Sequence, residues 1–275
     1  MPEIPDLEAI RAFFNERILG VEITDAEALI PYVVRTGAAD FKAALTGNRF
    51  AGVQRYGKFL LFNLGDEYVM AVNPMLTGRF QYAKPSEKKK GKVCFTVTLS
   101  NGMQVRYADQ RVMGKVYVVH IDDLPSVPTF AEMGPDALAV TEEEFRARIR
   151  KHTGAIKNVL TNHKFVAGIG NAYSDEILFR ARIEPFRKRQ TLGDNEIGAL
   201  YDALRETMDW AIPIVRGHFR DGLDYEEWRE HLKVHRKGGG DRSNPDEGRC
   251  PRCGSYLAQI SPNDRVTTWC RTCQR

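Results

Sequence analysis

Leu7, Ile10, Phe14 and Ile18 recur at intervals of three and four, with Pro5 suited to a first turn, which predicts an amphipathic helix over residues 5–18. The hydrophobic period then shortens to two. Alternating segments at 21–24, 51–64, 68–72, 92–99, 103–107 and 115–120 predict short strands, with a strong hairpin turn at Asn101-Gly102 and a weaker one at Gly65-Asp66-Glu67. A helix followed by a run of strands predicts a β-rich sandwich or barrel over residues 1–121. Prolines 125, 128 and 135 make 122–135 read as an interdomain linker. Beyond it the period becomes helical. Thr141 and Glu144 stand at capping-box spacing at the head of a helix over 141–152, and further helices are predicted at 156–162, 172–181, 195–215 and 225–234. The expected architecture is α+β and multidomain: a β-rich domain with a flanking helix (1–121), a linker (122–135), an all-helical domain (136–240), and a small C-terminal module (241–275) reached through a flexible bridge that opens at Lys237-Gly238-Gly239-Gly240.

Composition adds limits to this picture. The chain has 275 residues, 43% hydrophobic and 28% charged, as in an ordinary globular protein, and no apolar run approaches the roughly 18 residues needed to span a bilayer. The start, MPEIPDLEAI, lacks the basic and then apolar pattern of an export signal, so a cytoplasmic protein with no membrane association is expected. Net charge is only +4, but residues 231–275 hold nine Lys/Arg against four Asp/Glu. That local excess asks for a polyanion. A second basic run, Lys88-Lys89-Lys90 within 84–92, reads as a solvated loop that could brush a phosphate.

Four of the five cysteines lie near the C-terminus as Cys250-Pro-Arg-Cys253 and Cys270-Arg-Thr-Cys273. Each C-x-x-C turn presents two thiolates to one ion, so the spacing predicts a tetrahedral Cys₄ zinc site rather than two disulfides. One structural Zn²⁺ is expected, with Arg252 and Arg271 placed to offset the excess thiolate charge, and the metal supplies folding energy that so few residues cannot supply as a core. Segments 255–260 and 265–269 flank Ser261-Pro262-Asn263-Asp264, a turn between two short strands, with Arg265 near its tip. Arg265 is either a solvated charge or a group that reaches a groove or phosphate. Cys94 lies in an alternating strand and reads as a packed residue.

In the helical region, Gly168-Ile169-Gly170-Asn171 joins two helices, and Asn171 stands where an N-cap is expected. Either the glycines simply permit a tight turn, or backbone amides and the helix dipole clamp a phosphate there, with Lys157 adding a charge.

Met-Pro-Glu-Ile-Pro at the start, Lys58 after Tyr56-Gly57, Val166-Ala-Gly-Ile-Gly-Asn171 and a terminal Cys₄ finger occur in this order, and together the chain resembles the formamidopyrimidine-DNA glycosylase and endonuclease VIII family over essentially its full length. The resemblance implies a β-sandwich, a helix-two-turn-helix domain and a zinc-finger hairpin, with damaged double-stranded DNA between them and a monomer as the working form. It also implies a bifunctional DNA glycosylase and AP lyase of base excision repair. Removal of Met1 would free a secondary amine at Pro2, and an α-amino group with a pKa near ~8 is a usable nucleophile at neutral pH. By similarity Glu3 is the proton shuttle, Lys58 and Arg265 contact phosphates at the lesion, and Lys157 and Asn171 hold the DNA backbone.

The family fills the space of an extruded base with a methionine, an arginine and a phenylalanine. The matching positions here read Leu76, Arg111 and Met113, so two of the three differ. Asn73 replaces a family histidine and Asp6 a family glutamate. The stretch between Arg216-Gly217 and His235-Arg236-Lys237 is several residues shorter than in the 8-oxoguanine-specific members. Weak excision of 8-oxoguanine is the resulting expectation. Beside the enzyme reading stand a damaged-DNA-binding protein without efficient turnover, which the altered wedge favours, and an RNA-binding zinc protein, which leaves Met-Pro-Glu unexplained.

Overall fold

In the computed structural model the described residues are 2–223, 228–239, 247–261 and 265–275, and they divide into two compact units, Met1–Glu132 with Ile212–Trp228, and Met133–Ala211 with Arg229–Arg275.

In the first unit the chain runs α1 (Ile4–Arg17), β1 (Ile23–Ala28), α2 (Ala38–Leu45), β2 (Phe50–Tyr56), β3 (Phe59–Leu64), β4 (Tyr68–Asn73), β5 (Gly78–Ala83), β6 (Val93–Leu99), β7 (Gln104–Asp109) and β8 (Lys115–His120). Two antiparallel four-stranded sheets form, in the orders β1-β6-β7-β5 and β2-β3-β4-β8. Their inner faces and the apolar stripe of α1 share one core, in which Phe14 meets Phe62 and Phe80 edge to face at 5.5 Å. Both predicted hairpins form, with Gly65 and Gly102 at φ of 55° and 80°. The expected strand 51–64 is two strands, because Gly57 turns the chain at φ 57°. The segment expected at 21–24 extends instead over Ile23–Ala28. Two elements escaped the periodicity: α2 buries only Phe41 and Leu45, and β5 opens on Gly78-Arg79. The proline-rich 122–135 does not begin as a loose linker, since a 3₁₀ turn covers Ile121–Ser126 and Phe130 packs on Tyr56 and Phe59 at 5.2 and 5.6 Å.

The second unit contains α3 (Glu142–Ile149), α4 (Ile156–Leu160), α5 (Asn171–Ala181), most of α6 (Asp194–His218), and the hairpin of β9 (Ala258–Ile260) and β10 (Thr267–Trp269). Thr141 caps α3 as its spacing predicts, accepting from the Glu144 amide at 3.2 Å. The helix expected at 225–234 lies partly outside the described residues, and its described part, 228–234, forms turns instead. The reason is a competing acceptor: the amides of Lys233, Val234 and His235 donate to the Glu176 carboxylate at 2.9 to 3.1 Å rather than to helix carbonyls. The turn residues 262–264 and most of the glycine-rich bridge also lie outside the described residues.

Candidate nucleic-acid interface and metal centre

The start of α1 is a capping box built from two carboxylates. Glu3 is the N-cap and its side chain accepts from the Asp6 amide, while Asp6 accepts from the Glu3 amide at 2.8 Å. Glu3 and Asp6 are 3% and 6% exposed, and Pro2 beside them is buried. Asp6 thus fixes the backbone that carries Pro2 and Glu3. One and a half turns on, Glu8 accepts from the Arg55 guanidinium at 2.7 Å, and Arg55 also donates to the Gly57 carbonyl at 3.0 Å. The half-buried Lys58 therefore sits in a hairpin turn that this ion pair ties to α1.

Leu76, Arg111 and Met113 project from two loops of the same unit that are locked to one buried carboxylate. Asp109, fully buried, accepts from the Thr77 hydroxyl and from the amides of Arg111, Met113 and Gly114 at 3.1, 2.8 and 2.6 Å. Asn73 closes the other loop by accepting from the Met75 amide at 3.1 Å, so this departure from the family residue has a local role. Val112 takes φ 56°, an uncommon setting for a β-branched residue, and it turns the side chains on either side outward. A Cβ on Gly78 or Gly114 would collide with the Tyr107 hydroxyl, so both loops rest on that ring. Arg111 is exposed, Met113 is 38% exposed and Leu76 is half-buried.

In the second unit the cysteine module docks along one stripe of α5. Asn171 Nδ2 donates to the Val266 carbonyl at 2.8 Å, Asp175 accepts from the Thr268 amide at 3.1 Å, the Phe179 carbonyl accepts from Arg252 at 3.1 Å, and the Ile183 carbonyl accepts from Gln274 at 2.9 Å. The side chains of Asn171 and Asp175, four residues apart, lie on one helix face, while the carbonyls of Phe179 near the helix end and of Ile183 just beyond it complete the dock. Arg252 also lies 4.4 Å above the Phe179 ring. Two expectations change here. Gly170, not Asn171, is the N-cap of α5, and Asn171 is the first helical residue, its amide spent on Val266. Lys157 is buried, and its ammonium donates to Asp175 at 2.5 Å, the Val266 carbonyl at 3.0 Å and Thr267 Oγ1 at 2.9 Å. With three donors so engaged, Lys157 fastens the hairpin instead of standing ready for a phosphate. Gly168, at φ 110°, makes the turn before α5, and only glycine adopts that backbone readily.

Arg265 is exposed, and the next residue, Val266, is pinned by both Asn171 and Lys157. Sequence reasoning missed Asp175 and Glu176, which hold the module and its approach. Asp175 also accepts from His235 Nδ1 at 2.7 Å. The available signal was two adjacent carboxylates in a helix whose residues 172–179 are all buried.

The sulfurs of Cys250, Cys253, Cys270 and Cys273 lie within 4.8 Å of one another, with Cys250 to Cys273 at 3.9 Å and Cys253 to Cys270 at 3.5 Å. A tetrahedron with Zn–S of about 2.3 Å has S···S edges of about 3.8 Å, so the four thiols fit one metal ion. Cys94 is buried in β6 of the first unit, and burial pushes its thiol up to about 11. It is a packing residue. Among the described residues no helix is long and apolar enough to cross a membrane.

The family model for the formamidopyrimidine-DNA glycosylase N-terminal domain matches residues 1–116, and that for the formamidopyrimidine-DNA glycosylase H2TH domain matches 133–221. The chain is 34% identical over its whole length to a formamidopyrimidine-DNA glycosylase of Pelotomaculum thermopropionicum, covering 99% of that protein, and 30% identical to that of Lactococcus lactis subsp. cremoris, covering all of it. Solved structures of the Lactococcus lactis Fpg superpose over the full length of both chains with a TM-score of 0.88. One is a complex with DNA containing an abasic site, at 29% identity, and another a complex with N7-benzyl-Fapy-dG DNA, at 30%. The chain belongs to the formamidopyrimidine-DNA glycosylase family.

Proposed function

We propose that this chain, a DNA glycosylase and AP lyase of damaged-DNA repair, works through the amine of Pro2 once Met1 is removed. The buried capping box carries the reading, because it holds Pro2 and the Glu3 carboxylate at a fixed helix start. The Pro2 nitrogen attacks C1′ of the damaged nucleotide and gives up its proton, the base leaves with the bonding electron pair and takes up a proton, and rupture of the C1′–O4′ bond then leaves the sugar as an open-chain iminium. That electron sink acidifies C2′, so strand scission follows by β- and then δ-elimination. Glu3 delivers a proton to the ring oxygen and moves protons during elimination. A carboxylate can accept about four hydrogen bonds, so capping occupies only part of its capacity. Lys58 contacts the phosphate beside the lesion, and exposed Arg265 contacts a neighbouring one. Leu76, Arg111 and Met113 fill the space the extruded base leaves.

The four cysteines hold one structural Zn²⁺, which supplies folding energy to the module that presents Arg265. The Lactococcus lactis relative is solved on abasic-site DNA and on N7-benzyl-Fapy-dG DNA, which supports damaged DNA as the partner; the working form in this proposal is a cytoplasmic monomer. An aliphatic Met113 lacks the flat surface of an aromatic ring. We therefore expect 8-oxoguanine opposite cytosine to be excised more slowly than formamidopyrimidines or oxidised pyrimidines.

The test is borohydride trapping on abasic duplex DNA, followed by single-turnover excision on duplexes that differ only in the lesion. Wild-type protein and Pro2→Gly, which keeps an amine, should be trapped, and protein with Met1 retained should not. Full lyase activity with Met1 in place refutes Pro2 as nucleophile. If 8-oxoguanine proves the fastest base substrate, the wedge argument fails.

A further inference from the structure

Between β5 and β6, residues 84–92 present Lys84, Lys88, Lys89, Lys90 and Lys92, all exposed, against a single acid, Glu87. A lysine-rich loop of this kind is ordinarily a loose solvated turn. This one is built. Beneath it Arg106 of β7 is fully buried and spends its guanidinium on the loop: it donates to the carbonyls of Glu87 at 3.0 Å, Lys84 at 2.6 Å and Pro85 at 3.2 Å, and to Gln104 at 2.8 Å. All four acceptors are neutral. Gln81 clamps the Lys90 backbone from both sides, donating to its carbonyl at 2.7 Å and accepting its amide at 3.1 Å. The one acid, Glu87, is itself exposed, and its carboxylate accepts the Lys84 amide at 2.7 Å.

The loop thus presents five exposed lysines and one exposed acid over a buried guanidinium with no carboxylate among Arg106's acceptors. Like charges gathered on one short loop repel, and an anion laid across them relieves the repulsion. The loop's course suggests which anion. It leaves β5 at Ala83, which is paired with Gln104, and ends at Lys92, whose carbonyl accepts the Asp109 amide at 2.9 Å. Asp109 is the carboxylate that builds the Arg111 and Met113 loop. The lysines therefore extend from the wedge loop back along β7 for five residues, roughly 17 Å at ~3.3 Å per residue, comparable to about five base pairs at ~3.4 Å each.

We propose that the 84–92 loop is a second phosphate-contact surface, taking the backbone of duplex DNA that flanks the lesion. The proposal rests on the glycosylase reading, since it needs DNA at the wedge loop. Its test uses the full-length triple variant Lys88→Gln, Lys89→Gln, Lys90→Gln, with the corresponding triple Lys→Arg variant as the charge-retaining control. Affinity is measured against salt on abasic duplexes with fifteen flanking pairs on each side and on duplexes trimmed to three. On the long duplex the slope of log K against log salt should flatten by about 0.9 for each phosphate that is no longer neutralised, and the arginine variant should keep the wild-type slope. On the trimmed duplex the difference should shrink. An unchanged slope on the long duplex overturns the proposal, as does an equal change on both duplexes, which would place the lysines at the lesion itself. A change seen only with single-stranded RNA also overturns it. Trapping of the wild-type protein on the trimmed duplex reports the Pro2 chemistry independently, so failure of that chemistry and failure of the loop to meet the flanking backbone are distinguishable.

Discussion

Asp175→Asn tests whether a buried charge cluster, and not the metal alone, fixes the position of the cysteine module. Asp175 is fully buried and accepts from the Lys157 ammonium at 2.5 Å, His235 Nδ1 at 2.7 Å and the Thr268 amide at 3.1 Å. An asparagine keeps one oxygen and sets an NH₂ group where the other was, so at least one of the three donors loses its acceptor and the Lys157 charge loses its counter-ion. Removing one partner of a buried pair costs about 3–5 kcal/mol, because the remaining charge stays desolvated. At roughly 3 °C per kcal/mol for a unit of this size, the transition of the second unit should fall by about 10–15 °C. The double variant Lys157→Met, Asp175→Asn should recover much of that loss, since no unpaired cation is left in the core. DNA affinity should fall as well, because Lys157 also holds the carbonyl of Val266, next to Arg265. Calorimetry with zinc present, over the wild type, both single variants and the double, measures the coupling. A single Asp175→Asn variant melting within about 2–3 °C of the wild type, or a double variant as unstable as the sum of the singles, would refute the reasoning.

Cys270→Ser should lower zinc content and DNA affinity together, as read by metal analysis and binding isotherms, because β9 and β10 are only three residues each and have little core beyond the thiols. Undiminished binding by metal-depleted protein would show the module to be dispensable. Burial holds the Glu176 carboxyl above its ordinary value of 4.5, against the downward pull of three amide donors. The unfolded chain releases that proton more readily, so the contribution is fully present below pH 4.5 and is lost as the pH rises through the raised folded value. Urea unfolding across that window should show this slope in the wild type and a flatter one in Glu176→Gln; equal slopes would sink the assignment.

The sequence by itself determined the elements whose signals are local. Leu7, Ile10 and Phe14 specify α1 because a 3.6-residue period aligns them on one face. Asn101-Gly102 specifies a hairpin because glycine tolerates φ 80°. The cysteine spacing specifies a cluster of four thiols that could hold one metal ion, because two C-x-x-C turns each aim two sulfurs at one point. The Met-Pro-Glu start points to an amine nucleophile only through the family resemblance, since by itself it reads as the leader of a helix. Tertiary structure alone decided how these parts are held. Lys157 reads as a free charge until Asp175, eighteen residues on, and Val266 and Thr267, more than a hundred residues on, close around its ammonium. The helical pattern at 228–234 gave way because Glu176, more than fifty residues earlier, offers its amides a charged acceptor that no helix carbonyl matches. Asp109 and Arg106 look like ordinary strand residues, yet each is buried and organises a loop that meets it only in the folded chain. A buried charge must find its partners wherever the fold supplies them, and that pairing is long-range, invisible to any pattern with a period of two or 3.6.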